Sequence, residues 1–203
     1  MQAFELGIKY LRPGISAVAS VYRHQGTDMI DWIKDLTLGE DALWVSVNHT
    51  QVNTLGEELS LRVQPGVLLG SDAFFLRSFN AGFAHIDQDK ALEPGLQSAY
   101  ALEYLRDKLV LQADLQLLEP LSLNLSYSWL DRVGSYEAFE AGESRGQRSY
   151  APYSLLDARL TWDAHRWRFF LEGSNLLNIS YYDHGNIPQP GIRLQAGILF
   201  RIR

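Results

Sequence analysis

The sequence predicts an all-β chain of antiparallel strands, each with one apolar and one polar face. Three patterns predict it. Leu109, Leu111, Ala113, Leu115 and Leu117 alternate with Val110, Gln112, Asp114 and Gln116, and Leu121, Leu123, Leu125, Tyr127 and Trp129 alternate with Ser122, Asn124, Ser126 and Ser128. Successive side chains of a strand point to opposite faces, so a period of two sorts apolar from polar residues across a sheet. The final stretch repeats the pattern, with Ile192, Leu194, Ala196, Ile198, Phe200 and Ile202 set against Arg193, Gln195, Gly197, Leu199, Arg201 and Arg203. Third, short turns alternate with long loops along the chain. A sheet with one greasy and one wet face divides two unlike solvents, and bilayer outside with water inside is one such case.

Taken in order, the first strand places Phe4, Leu6, Ile8 and Tyr10 opposite Glu5, Gly7 and Lys9, and Arg12-Pro13-Gly14 turns the chain. Proline presets φ and glycine accepts φ > 0, which suits a tight turn. The second strand, 15–23, is less regular, with Ala17, Ala19 and Val21 on the apolar face. A loop over 24–43 follows, within which 28–34 reads as a short helix. The third strand spans about 44–63 and puts Leu55, Leu59, Leu61 and Val63 on one face. Glu57 falls on that face, so it is expected to lie near an interface or in a β-bulge. After Gln64-Pro65-Gly66 come a strand near 75–86, a polar loop to residue 98, and a strand over about 100–117. Leu118-Glu119-Pro120 separates that strand from 121–130, and 131–149 reads as a long loop rich in Gly, Ser and Glu. Strands over 153–162 and 167–175, a loop over 179–191 and the closing strand bring the count to about nine. Tyr10, Tyr127, Trp129, Trp162 and Trp167 fall near strand ends, where an amphipathic ring suits the headgroup layer.

Composition excludes several classes. With 18 basic against 24 acidic residues, net charge −6, and no clustered Lys or Arg, a nucleic-acid-binding surface is not expected. No cysteine is present, so there is neither a disulfide framework nor a thiolate metal site. No run approaches the about 18 apolar residues of a membrane helix, which says nothing against strands that cross with every second residue apolar. The opening Met1-Gln2-Ala3-Phe4 lacks the basic and apolar regions of a signal peptide.

The run Gly173-Ser174-Asn175-Leu176-Leu177-Asn178-Ile179-Ser180-Tyr181-Tyr182-Asp183, then Asn186-Ile187-Pro188-Gln189-Pro190-Gly191 and an amphipathic strand, resembles the C-terminus of TonB-dependent outer-membrane receptors, particularly those of Bacteroidetes-type bacteria. Asp28-Met29-Ile30-Asp31-Trp32, Val47-Asn48-His49-Thr50, 53–59 and 100–108 are similar to successive barrel segments of the same receptors, in the same order. Such receptors close with about 22 strands around a plug. The resemblance therefore implies that residues 1–203 are the C-terminal segment of such a barrel, with plug domain and signal peptide absent. It further implies active uptake of a scarce nutrient complex of the iron siderophore, haem or cobalamin type across the outer membrane of a Gram-negative bacterium. The implied partners are outer-membrane lipid, the TonB–ExbB–ExbD system acting through the missing N-terminal part, the barrel-assembly machinery reading the last strand, and the nutrient chelate.

The loops carry the candidate site. Asp28, Met29, Asp31 and Trp32 in the first, Tyr136 and Phe139 in the third, and Tyr181, Tyr182 and His184 in the last combine aromatics with polar partners, as ligand sites do. From these, Asp28, Trp32, Tyr136, Tyr181, Tyr182 and His184 form the expected ligand-binding set; packing of loop on loop is the competing account. His184 beside Asp183 invites a metal or general-base role, against which stands an ordinary exposed polar loop. His24, His49, His85 and His165 stand singly, and no phosphate loop or nucleophile elbow is present. Asp157 and Glu172 are expected to pair with Arg159, Arg168 or Arg193 on the wet face. No catalysis, cofactor or metal is expected. Two alternatives stay open: a self-contained soluble β-barrel or sandwich that binds a small ligand, and an enzyme on a smaller outer-membrane barrel.

Overall fold

The computed structural model describes residues 1–39, 42–71, 75–91, 96–98, 104–183 and 185–202. Its strands are β1 (Gln2–Arg12), β2 (Ile15–Asp35), β3 (Val45–Val63), β4 (Leu76–Ala91), β5 (Leu96–Ser98), β6 (Tyr104–Leu118), β7 (Leu121–Val133), β8 (Ser135–Glu140), β9 (Glu143–Ser149), β10 (Tyr153–Ala164), β11 (Trp167–Ser174) and β12 (Arg193–Phe200). A one-turn helix, α1 (Pro65–Leu69), lies between β3 and β4. The principal sheet runs β1-β2-β3-β4-β6-β7-β10-β11-β12, every pairing antiparallel, with β5 added beside β2. The short strands β8 and β9 form a separate hairpin.

Period-two patterning becomes the two faces of this sheet. Leu109, Leu111 and Ala113 of β6 lie opposite Trp129, Tyr127 and Leu125 of β7, and Leu125 lies opposite Ala158 of β10, so apolar positions meet apolar positions strand after strand. No second layer covers them among the described residues: Leu6 is 75% exposed, Ile8 73%, Leu194 68% and Ile198 64%. Buried apolar residues are few, among them Ile33, Ala138, Tyr150 and Tyr153, and they sit toward the long-loop rim. A soluble sandwich would cover its apolar face with a second sheet, and the described residues supply none.

One hydrogen-bonded row shows the stagger. It passes from Arg12 and Ile15 through Val63, Phe79, Ala113, Leu125 and Ala158 to Gly173 and Leu194. The row begins at the short-turn end of β1 and β2 and finishes at the long-loop end of β11 and β12. Strands that shift steadily along their neighbours tilt relative to a common axis, which is what a closing barrel wall requires.

The polar face is lined and paired. Ser78, Asp114, Asn124, Arg159, Glu172 and Gln195 form one cross-strand row. Ser78 Oγ donates to Asp114, Asn124 Nδ2 donates to the same carboxylate at 2.5 Å, and Arg159 Nη1 donates to Glu172 at 3.1 Å. The Arg159 guanidinium also stands 4.2 Å from the centroid of the Phe170 ring, which fills the space where a Cβ on Gly197 would stand. Of the expected pairings, Glu172 with Arg159 is present. Asp157 instead accepts the backbone N–H of Asn175, and Arg168 pairs with Asp163.

Several expectations are corrected. Residues 28–34 are not helical: β2 continues to Asp35, held by β3 on one edge and β5 on the other, with its irregularity between Gly26 and Ile30. The region 131–149 is not one loop; β7 reaches Val133 and the β8–β9 hairpin follows. Register is unbroken around Glu57, so no bulge turns it inward. Glu57 heads a charged row instead, opposite His85, which is opposite Asp107, which is opposite Asp131. His85 Nδ1 lies 2.6 Å from Asp107 Oδ1, and Arg106 bridges Asp107 and Asp131. Tyr100 and Arg203, and the side chains of Met29, Asp31 and His49, lie outside the described residues.

Candidate functional site

At the long-loop rim the chain gathers tyrosines. β7 ends at Asp131, Arg132 and Val133, Gly134 turns the backbone at φ 122°, and the β8–β9 hairpin returns at Tyr150 just before β10 starts at Tyr153. Because β7 pairs with β10 and β10 with β11, the last loop, 175–192, begins beside them.

Two asparagines pin that loop. Asn175, 5% exposed and at φ 49°, donates from Nδ2 to the carbonyls of Ile179 (2.9 Å) and Pro190 (3.1 Å) and accepts the Ile179 N–H at Oδ1 (3.0 Å). Asn178, at φ 50°, accepts the Ile192 N–H at 3.1 Å. Asparagine tolerates left-handed backbone and mimics a peptide group, so one residue type supplies both needs. Departing and returning ends of the loop are thereby tied together.

Within this frame Tyr136 stacks on Tyr182 with ring centroids 4.9 Å apart and also lies 5.2 Å from Tyr150. Tyr153 stacks on Tyr181 at 4.3 Å. Asp183 joins the groups: its Oδ1 accepts from Tyr153 Oη at 3.0 Å and from Arg132 Nη2 at 3.2 Å. Tyr150 Oη accepts the Gly185 N–H at 2.8 Å, and the Arg132 guanidinium stands 5.9 Å from the Tyr150 centroid. Arg132 Nε is buried and finds no hydrogen-bond partner among the described residues. Burial, then the nearby charges of Asp183 and Asp157, push the Tyr181 phenol above its usual range, so it stays protonated at neutral pH. The arrangement offers aromatic faces, one carboxylate and one guanidinium, a set suited to binding a bulky ligand with polar edges.

Of the predicted residues, Tyr136, Tyr181 and Tyr182 come together here. Asp28 and Trp32 sit on the upper part of β2, both exposed, and make no ring contact or hydrogen bond with the cluster among the described residues. Phe139 is half-exposed near the tip of the hairpin. His184 lies outside the described residues. Arg132, Tyr150 and Tyr153 join the site without standing out in the sequence; the tyrosines at 150 and 153, bracketing the start of β10, are the signal it offers. Among the described residues no group of three or more His, Asp or Glu is placed to hold a metal.

A family model described as TonB dependent receptor-like, beta-barrel matches residues 2–176. The chain belongs to that receptor family. Its sheet superposes on solved barrels of the same kind. The FrpB iron transporter from Neisseria meningitidis is 14% identical at a TM-score of 0.69, with 98% of this chain and 30% of that one covered. For the ferric-catecholate import receptor Fiu from E. coli the values are 14%, 0.66, 98% and 27%. A mutant ferric enterobactin receptor from Pseudomonas aeruginosa, solved in complex with enterobactin, gives 18%, 0.67, 98% and 31%. The chain thus spans about three-tenths of the length of these structures. No curated protein matches the chain. The family is one of receptors and transporters rather than enzymes, and in it the apolar face of the sheet is the outside of a barrel wall and the polar face its lumen.

Proposed function

We propose that residues 1–203 are the C-terminal segment of the barrel of an outer-membrane receptor that takes up a scarce nutrient complex, of the iron siderophore, haem or cobalamin type, with energy delivered through TonB–ExbB–ExbD. The family match over residues 2–176 carries this reading. The uncovered apolar face, for which a bilayer is the fitting solvent, supports it. In this reading the long loops face the medium. Tyr136, Tyr181 and Tyr182, joined by Tyr150, Tyr153, Arg132 and Asp183, form the ligand platform; His184 belongs to the same loop, and Asp28 and Trp32 are a second contact group on the upper part of β2. Outer-membrane lipid surrounds the wall, and the barrel-assembly machinery engages β12.

The test is uptake in the source bacterium. Deleting the gene is expected to abolish accumulation of one labelled complex among ferric siderophores, haem and cobalamin. Complementation restores it, and a protonophore abolishes it again. Undiminished uptake of all three classes in the deletion strain would overturn the reading.

A further inference from the structure

Where β3 ends, the chain does not make a minimal turn. Residues 63–71, Val-Gln-Pro-Gly-Val-Leu-Leu-Gly-Ser, carry no charge, and Pro65–Leu69 form α1. The helix buries none of its residues: Val67 is 55% exposed, Leu68 49% and Leu69 67%. It is nevertheless held in place. Gly14, in the β1–β2 turn, is buried and adopts φ 80°, and a Cβ there would stand 2.9 Å from Leu68 Cγ and 3.1 Å from Val67 Cβ. Gln64 N–H donates to the Gly14 carbonyl at 2.7 Å. So α1 leans on the neighbouring turn with its leucines uncovered.

Beside that turn, Tyr10 and Arg12 occupy the last two outward positions of β1, and the Arg12 guanidinium stands 5.8 Å from the Tyr10 centroid. An amphipathic ring with a cation on it is the pairing found where acyl chains give way to phosphates. The apolar outward row of β1 (Phe4, Leu6, Ile8) leads directly into Tyr10, and that of β3 (Leu59, Leu61, Val63) leads into α1. The apolar character of both strands therefore continues past the strand ends.

We propose that α1 and the β1–β2 turn form a foot seated in the periplasmic leaflet, with Val67, Leu68 and Leu69 among phospholipid acyl chains and Arg12 at the lipid phosphate. This rests on the reading of the chain as a barrel wall. Its occupant is a phospholipid and not a protein, because the exposed side chains are wholly apolar, the adjoining group is cationic, and both continue an apolar band.

The test uses the full-length receptor reconstituted in nanodiscs containing phosphatidylglycerol, with nitroxide labels attached at single introduced cysteines. Leu69→Cys reports the foot, Leu123→Cys the outer wall and Asn124→Cys the lumen. Oxygen partitions into lipid and a nickel chelate into water, so the expected result is preferential relaxation by oxygen at 69 and 123 and by the chelate at 124. A water-like signal at 69 with a lipid-like signal at 123 would overturn the foot and leave the wall standing. A water-like signal at both would instead overturn the wall reading. Arg12→Gln is expected to reduce the phosphatidylglycerol retained through detergent extraction, measured by native mass spectrometry; unchanged retention would remove the phosphate contact from the proposal.

Discussion

Replacing Asn175 with alanine tests whether the last loop is held from its base. Alanine deletes three hydrogen bonds, to the Ile179 N–H, the Ile179 carbonyl and the Pro190 carbonyl. At roughly 0.5–1.5 kcal/mol net for each bond, the loss is about 1.5–4.5 kcal/mol. Left-handed backbone at φ 49° adds a further cost of about 1–2 kcal/mol for a residue without a polar side chain. Water can enter a rim site and recover part of this, so about 3 kcal/mol is the working figure, or about a hundredfold in local opening. The assay is hydrogen exchange, read by mass spectrometry, on peptides covering 176–192 in outer-membrane vesicles. Asn175→Gly removes the same bonds without the backbone penalty and should recover about 1 kcal/mol relative to alanine. Exchange within about threefold of wild type for the alanine variant would refute the pinning role.

Four further outcomes follow from the geometry. Asp183→Asn weakens the contacts to Arg132 and Tyr153; with the carboxylate 45% exposed the cost is only about 1 kcal/mol, visible as faster protease nicking of 179–191 with the barrel intact. Leu125→Arg, at the wall's apolar face, should destabilise the inserted receptor by about 2–4 kcal/mol while Asn124→Arg on the opposite face costs much less; equal effects in reversible unfolding from vesicles would invert the assignment of faces. Gly197→Val drives a branched side chain into the Phe170 ring and should cost about 1–3 kcal/mol, largely relieved when Phe170 is also replaced by alanine. Because the folded-state Tyr181 phenol titrates above the ordinary 10.0, its contribution to loop order is complete below about pH 10 and disappears as pH rises through the raised value. Tyrosinate absorbance of wild type minus Tyr181→Phe should show a component titrating later than free tyrosine, and a component at the ordinary value would contradict the burial.

The wall was legible because its physics is local. Leu121 to Trp129 declares both faces with no knowledge of any partner strand, and β6, β7, β10 and β11 lie close to where alternation puts them. The upper half of β2 was not legible: Met29, Ile30, Trp32 and Ile33 fall at helix-like spacing, and the β3 and β5 edges that hold 30–35 extended come from far along the chain. The β8–β9 hairpin hid in a polar sequence whose buried anchor is only Ala138. In the candidate site, Tyr181 and Tyr182 stood out as neighbours in a distinctive loop, but their meeting with Tyr136 and Tyr153 depends on the pairing of β7 with β10 and on the Asn175 tie. The motif containing Asn175 and Asn178 carries the family resemblance in the sequence; its physical purpose appears only when Pro190 and Ile192 come back to it.

The energetics of the sheet point beyond itself. Strand pairing satisfies the backbone from β2 to β11, yet β1 and β12 each have one pairing edge without a partner strand among the described residues. In hydrocarbon each unsatisfied N–H or C=O costs several kcal/mol, so such edges are tolerable only when further strands meet them. Stagger along the row from Arg12 to Leu194 already sets the tilt such strands would have to match. The charged row from Glu57 to Asp131 fits the same geometry: because rows climb across tilted strands, its Asp131 end lies two residues beyond Trp129, toward the long-loop rim, while Glu57 lies six residues above Val63. The cost of lipid-facing charge depends on depth, so Glu57 bears more of it than Asp131. Glu57→Leu should therefore raise the stability of the inserted wall, whereas Asp131→Leu, which removes one of the two carboxylates paired with Arg106 and leaves Asp107, should lower it.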